Sequence, residues 1–363
     1  MFPAGETAAA DDRPGEAILK VRQTSLAILF HAAESQNSFV RAAAARSAGE
    51  SGDPTLISLV KKAAEDSYPI TRQFALQAMM KLSVTEARKL AEKLVDDHDA
   101  WVKASALEIY GQLVGKGAIE IVRPHLKSPD RPVQLAAMAT LVKLGESERL
   151  DEIVKILKTN DPVERYQAIG YLGKIGTEEV FPHLVGTLDH VEDETIFYGL
   201  KALNKQVKPD LFPKLEKLSH HKNPSVRYQA ALVMGHLHYN ISRKRVKEMC
   251  QDSDAMVRLS AAVAMESLSS TECRYEFENA LRNPDFGIRS TAARILGTLP
   301  MRQRYKLLSM ALEDENIRVR TSAVRAVVMM GGAQTFPLLQ KMLADSNEAV
   351  RAYAAGGLLR LTR

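Results

Sequence analysis

The chain has 363 residues, 26% of them charged and 45% hydrophobic, with a formal net charge of +5. No run approaches the ~18 consecutive apolar residues that a membrane helix requires, so a membrane-spanning chain is excluded and no membrane partner is expected. The basic balance invites a nucleic-acid partner, but much of the surplus sits in one periodic arginine column, which argues against it.

Residues 1–15 mix Ala, Asp, Pro and Gly and lack the basic start and apolar stretch of a secretory signal; they are expected to form a disordered lead-in. From there the chain is periodic. Steps of 31 from Arg41 land on Arg72, Lys103, Gln134, Arg165, Ile196, Arg227, Arg258, Arg289, Arg320 and Arg351 without insertion or deletion. Three places after each stands Ala, except for Gly199, so the period belongs to packing as well as charge. A chain this long would ordinarily suggest two or three domains. The unbroken repeat instead predicts a single solenoid over residues 16–363, built from about eleven units.

Within a unit, apolar positions recur at helical spacing in two blocks around an Asp/Asn-rich turn, as in 147–158, then Thr159-Asn160-Asp161-Pro162, then 163–175. Each repeat therefore reads as a helical hairpin. With the arginine column as position zero, position −4 is mostly Asp or Asn, suited to cap the second helix, and Pro132, Pro162 and Pro224 fit its first turn. Gly52, Gly145, Gly176 and Gly331 share position +11 and can take the left-handed C-terminal turn. Positions −1, +3, +7 and +10, for example Val226, Ala230, Met234 and Leu237, fall on one stripe and form the core. Pro182, Pro213 and Pro337 share one phase of the first helix, where they bend or start it.

A helical hairpin with this proline, an Asp or Asn turn and a Val-Arg entry into the second helix resembles the HEAT repeat, in particular the short bacterial HEAT-like repeats of the phycobilisome-lyase group. The resemblance implies an all-α, right-handed superhelical α-solenoid whose second helices line the concave wall. It also implies a ladder between the Asp and Arg columns of neighbouring repeats, which makes the arginines scaffold. Such repeats serve scaffolds, inhibitors, lyases and adaptors alike, so the resemblance does not select a function.

On that wall position +1 carries Leu135, Tyr166, Phe197, Tyr228 and Leu259 in consecutive central repeats, and position +5 adds Leu232 and Val263. With Tyr198, they make an apolar strip of the kind that marks a partner site; the same stripe also fits packing between adjacent repeats. Repeat six departs from the pattern at Thr195, Ile196 and Gly199, which favours the functional reading. Lys143, Lys174, Lys205 and His236 at +9, with Lys201, fringe the strip. Lys174, Lys201 and Lys205 are expected to select acidic flanks.

Several chemistries find no residues. His190 and His221 share a turn phase, but turns one repeat apart lie about 10 Å from each other, too far for one ion. No His-Glu pair of the HEAT-type di-iron hydroxylases occurs. Trp101, the single tryptophan, is expected to pack near a helix start, which leaves no Trp-rich glycosylase cluster. Cys250 and Cys273 lack ligand spacing, and a reducing, cytoplasmic setting fits best. No catalytic residue, metal or cofactor is expected. The sequence points to a non-catalytic adaptor binding a protein or peptide segment on its concave face. A bilin lyase or chromophore chaperone, permitted by resemblance alone, and binding to a nucleic-acid backbone are the alternatives. The last helix, through Leu358, Leu359 and Leu361, has no polar helix after it, so either Arg360 and Arg363 suffice to cap it, or this end self-associates, or the chain continues.

Overall fold

The computed structural model describes residues 13–203, 207–237 and 240–363, and the regular elements among them are all helical. The first helices of the eleven hairpins are α1 (Arg13–Ala33), α3 (Ile57–Ala63), α5 (Val84–Leu94), α7 (Ile119–Val122), α9 (Arg149–Ile156), α11 (Phe181–Gly186), α13 (Phe212–Leu218), α15 (Asn240–Met249), α17 (Tyr275–Leu281), α19 (Arg304–Ala311) and α21 (Phe336–Met342). The second helices are α2 (Ser38–Ser51), α4 (Pro69–Leu82), α6 (Ala100–Val114), α8 (Arg131–Leu144), α10 (Pro162–Ile175), α12 (Asp193–Leu203), α14 (Pro224–Gly235), α16 (Ala255–Ser267), α18 (Phe286–Leu296), α20 (Ile317–Met330) and α22 (Glu348–Leu361). The expected lead-in lies outside the described residues as far as residue 12, and α1 takes in the rest.

The turn between the helices is made twice over by short polar side chains. At position −6 the side chain of Ser35, Asp66, Asp97, Ser128, Thr159, His190, His221, Asp252, Asn283, Asp314 or Asp345 accepts from the backbone N–H two residues on. Two places later the −4 residue caps the second helix, as Asp99, Asp161, Asn223 and Asn347 do. His190 and His221 are thus turn formers, each accepting through Nδ1. The arginine ladder also runs to position −6 rather than to the −4 residues, with Arg165 and Glu192 the exception. Arg41, Arg72, Arg227, Arg289 and Arg320 each fork onto the −6 aspartate of the next repeat, Asp66, Asp97, Asp252, Asp314 and Asp345. At the far end of the helices, Gly52, Gly145, Gly176 and Gly331 all have positive φ. Pro182, Pro213 and Pro337 sit in the first turn of α11, α13 and α21 and start those helices rather than bend them.

The +3 alanines are fully buried in all ten repeats that carry them. Closer still is a contact at +8, where Gly49, Gly111, Gly173, Gly235 and Gly297 occur in alternate repeats. A Cβ on Gly235 would stand 2.7 Å from the Cα of Ala264 in the next second helix, and the other four meet the same +6 position. Second helices therefore pack most tightly in pairs. All of them touch their successors, whereas first helices scarcely touch one another, so the second helices form the inner, shorter circumference.

That circumference closes. α1 and α2 pack on α22 as any first and second helix pack on the preceding second helix. Gly356 takes the glycine's part at this seam, with Ser47 O 2.7 Å from where its Cβ would be, and Ser47 is itself a +6 residue. Ser35 Oγ donates to Glu348, and an Arg22 guanidinium spans Asp53 and the Thr362 carbonyl. The end of α22, where self-association was one of the expectations, is consequently covered, with Leu358 and Leu359 fully buried. The solenoid forms a ring.

Cys250 and Cys273 are joined in a disulfide between the first-helix segments of repeats eight and nine. Such bonds persist in oxidising compartments and are reduced in most cytoplasms, so the cytoplasmic setting expected from sequence calls for the dithiol form. Among the described residues no helix is long and apolar enough to cross a membrane.

Candidate partner-binding surface

The inner wall is tight enough for side chains two repeats apart to meet. Lys174 Nζ reaches across repeat four to Glu108 at 2.7 Å while lying 4.5 Å from the Tyr171 ring centroid. This curvature divides the expected strip. Leu135 and Leu259 have no exposed surface and belong to the core, because the neighbouring second helices close over them; no partner touches them in this ring. Tyr166, Phe197, Tyr198, Tyr228, Leu232 and Val263 are half-buried, and Lys174 and Lys201 are exposed. Lys205 lies outside the described residues.

Three of these residues form one aromatic patch. Tyr166 and Tyr198 stack with centroids 4.6 Å apart, and Phe197 meets Tyr198 edge-on at 5.4 Å. Lys201 Nζ lies 5.9 Å from the Tyr198 centroid, and the Arg165 guanidinium 6.0 Å from that of Tyr166. Burial, reinforced by Glu192 and Glu194, pushes the Tyr166 phenol up; burial does the same to Tyr228, partly offset by Arg294. Both phenols are therefore neutral hydrogen-bonding groups at neutral pH, not bases. Much of what is irregular in repeat six has a structural cause. With His190 in place of the −6 aspartate, Arg165 turns to Thr195 Oγ1 and Glu192. Ile196 makes no rung, and Asp193 bonds Asn223 instead. Gly199 leaves room for Thr187, whose Oγ1 would be 2.0 Å from an added Cβ.

A second apolar region was not anticipated. Phe39, Ile70, Phe286 and Ile317, at positions −2 and −3, are between 39% and 67% exposed, and they come together because the two chain ends meet. With Phe74 and Tyr353 they line a cavity of about 570 Å³. Trp101, expected to pack near a helix start, lies on the same rim and is half exposed. A signal was present, since Phe, Ile or Trp occupies −2 or −3 in repeats one to three, nine and ten. Only closure makes them neighbours. Among the described residues no group of three or more His, Cys, Asp or Glu side chains is placed to hold a metal ion.

The family model for HEAT repeats matches residues 17–80, 119–204 and 276–360. The chain belongs to the HEAT repeat family. No curated protein matches its sequence. Among solved structures, this HEAT repeat chain is similar to human deoxyhypusine hydroxylase in complex with glycerol, at 17% identity and TM-score 0.34, over 70% of this chain and 99% of that one. It is similar to Kap121p bound to Nup53p at 13% identity and TM-score 0.41, over 91% and 44%. The CpcE and CpcF complex of phycocyanin lyase from Nostoc matches at 17% identity and TM-score 0.44, over 64% and 91%.

Proposed function

We propose that this HEAT repeat ring is a non-catalytic scaffold that holds a segment of a partner protein against its inner wall. The observation that carries the reading is the patch of Tyr166, Phe197 and Tyr198, with Tyr228 on the following repeat, large rings left half-buried where a sealed core would have closed over them. Aromatic anchors of this kind dominate protein interfaces. Leu232 and Val263 extend the apolar surface, while Lys201, with Lys205 by sequence, favours acidic flanks; Lys174 is already paired with Glu108. A regular ring of eleven second helices spaced 8–10 Å apart has an opening of roughly 20 Å between side-chain layers, enough for an extended strand or one helix. In a cytoplasm the same ring would carry Cys250 and Cys273 as thiols.

The test is affinity purification from the source organism with the wild-type ring and with Phe197→Asp combined with Lys201→Glu, after circular dichroism has shown equal helicity. Loss of a specific partner from the variant is the expected result. An unchanged set of captured proteins would count decisively against the reading.

A further inference from the structure

The seam cavity lies on a different arc of the ring from the aromatic patch, and its electrostatics are unbalanced. Three of its lining rings carry a guanidinium: Arg46 lies 5.2 Å from the Phe74 centroid, Arg318 5.8 Å from Phe286, and Arg325 5.5 Å from Tyr353. Arg46 is held by Glu50 at 2.9 Å. Arg318, Arg325 and Arg294 have no carboxylate within ion-pair distance among the described residues. The Nε of Arg325 is buried with no acceptor at all. Burial, together with the charges of Arg46 and Arg294, weighs against its protonated form.

We propose that this cavity is a second binding site, for an acidic peptide segment that seats a large apolar side chain among Phe39, Phe286 and Tyr353 and sets its carboxylates on Arg318, which lines the cavity, and on Arg325, which borders it beside the Tyr353 ring. The apolar lining and the volume suit one or two side chains rather than a flat contact. The unpaired guanidiniums supply the forked donors that carboxylates match. A nucleic-acid strand fits less well, because the ring faces on which bases would stack already carry arginines. Both halves of the site come from opposite ends of the chain, so it exists only in the closed ring.

Fluorescence anisotropy with the fluorescein-labelled peptide Glu-Glu-Leu-Glu-Phe-Glu-Glu tests this on the full chain. The acidic probe should bind, its glutamine counterpart at least tenfold more weakly, and Arg318→Gln with Arg325→Gln should weaken the acidic probe at least tenfold. Lys201→Glu, on the other arc, should leave the affinity within twofold; a tenfold loss there would put the probe on the scaffold surface and overturn the proposal. Equal binding of the two peptides, binding that survives the double substitution, or tighter binding of an oligo-dT of similar length would each overturn the proposal. The double variant should keep the helicity of the wild type by circular dichroism, so lost binding is not lost folding.

Discussion

Arg72 and Asp97 show how one column of residues joins repeats. The guanidinium forks onto the carboxylate at 2.7 and 2.8 Å, its remaining nitrogen bonds the Asp66 carbonyl, and both side chains are nearly inaccessible. Arg72→Ala would leave Asp97 buried without its partner, and denaturant unfolding should show a loss of about 3–5 kcal/mol. Burial by itself would raise the carboxyls of Asp66, Asp97, Asp252 and Asp314, but hydrogen bonds and charge from their arginines, aided by the turn N–H, hold each below the usual aspartate value. Groups whose folded pKa is depressed contribute stability above the unfolded value, near 3.9, and lose it as pH falls through the folded value. Denaturation midpoints measured against pH should therefore hold down to about pH 5 and fall steeply below about pH 4, with a shallower fall in Arg72→Ala. The pairing also explains the exceptions. Where the −6 residue of the next repeat is not Asp, the column residue is Lys103, Gln134 or Ile196, or its arginine finds another acid, as Arg165 finds Glu192 and Arg258 finds Glu276.

At the scale of the helix, two glycines inside second helices should respond oppositely to substitution. Gly235 lies against the Ala264 backbone, so Gly235→Leu must force α14 and α16 apart, and should cost roughly 3 kcal/mol in thermal or chemical unfolding. Gly170, in α10, faces open space with nothing within 4 Å of its Cβ position. Gly170→Ala should stabilise by about 0.5–1 kcal/mol, because alanine removes backbone freedom from the unfolded chain and favours the helix. The +8 glycines recur every 62 residues, a signal visible in the sequence beneath the 31-residue period. It marks which helix pairs approach most closely. The prediction for +3 is equally local: Ala230, fully buried, has no room for leucine.

For the whole molecule, closure replaces the two polar end caps that an open solenoid needs. Each end of the chain covers the other, through the same glycine-to-small-residue contact used between internal repeats. Gly356→Leu should open the seam, and small-angle scattering should then record a larger radius of gyration at unchanged helicity. An unchanged radius would mean that α1 alone holds the ends together.

The repeat, the hairpin, the buried alanine stripe and the helix caps follow from the sequence, because each depends on contacts within one unit or between neighbours at fixed spacing; the HEAT resemblance implied that the arginines are scaffold, and the structure moved their partners from −4 to −6. Curvature does not. Closing eleven repeats requires about 33° of turn from each, and that angle is the sum of small packing adjustments at every interface, which no single motif encodes. The tertiary structure alone therefore decided that Leu135 and Leu259 are sealed in the core, that Tyr166 and Tyr198 stack on the inner wall, and that Phe39 and Phe286, 247 positions apart in the chain, face one cavity.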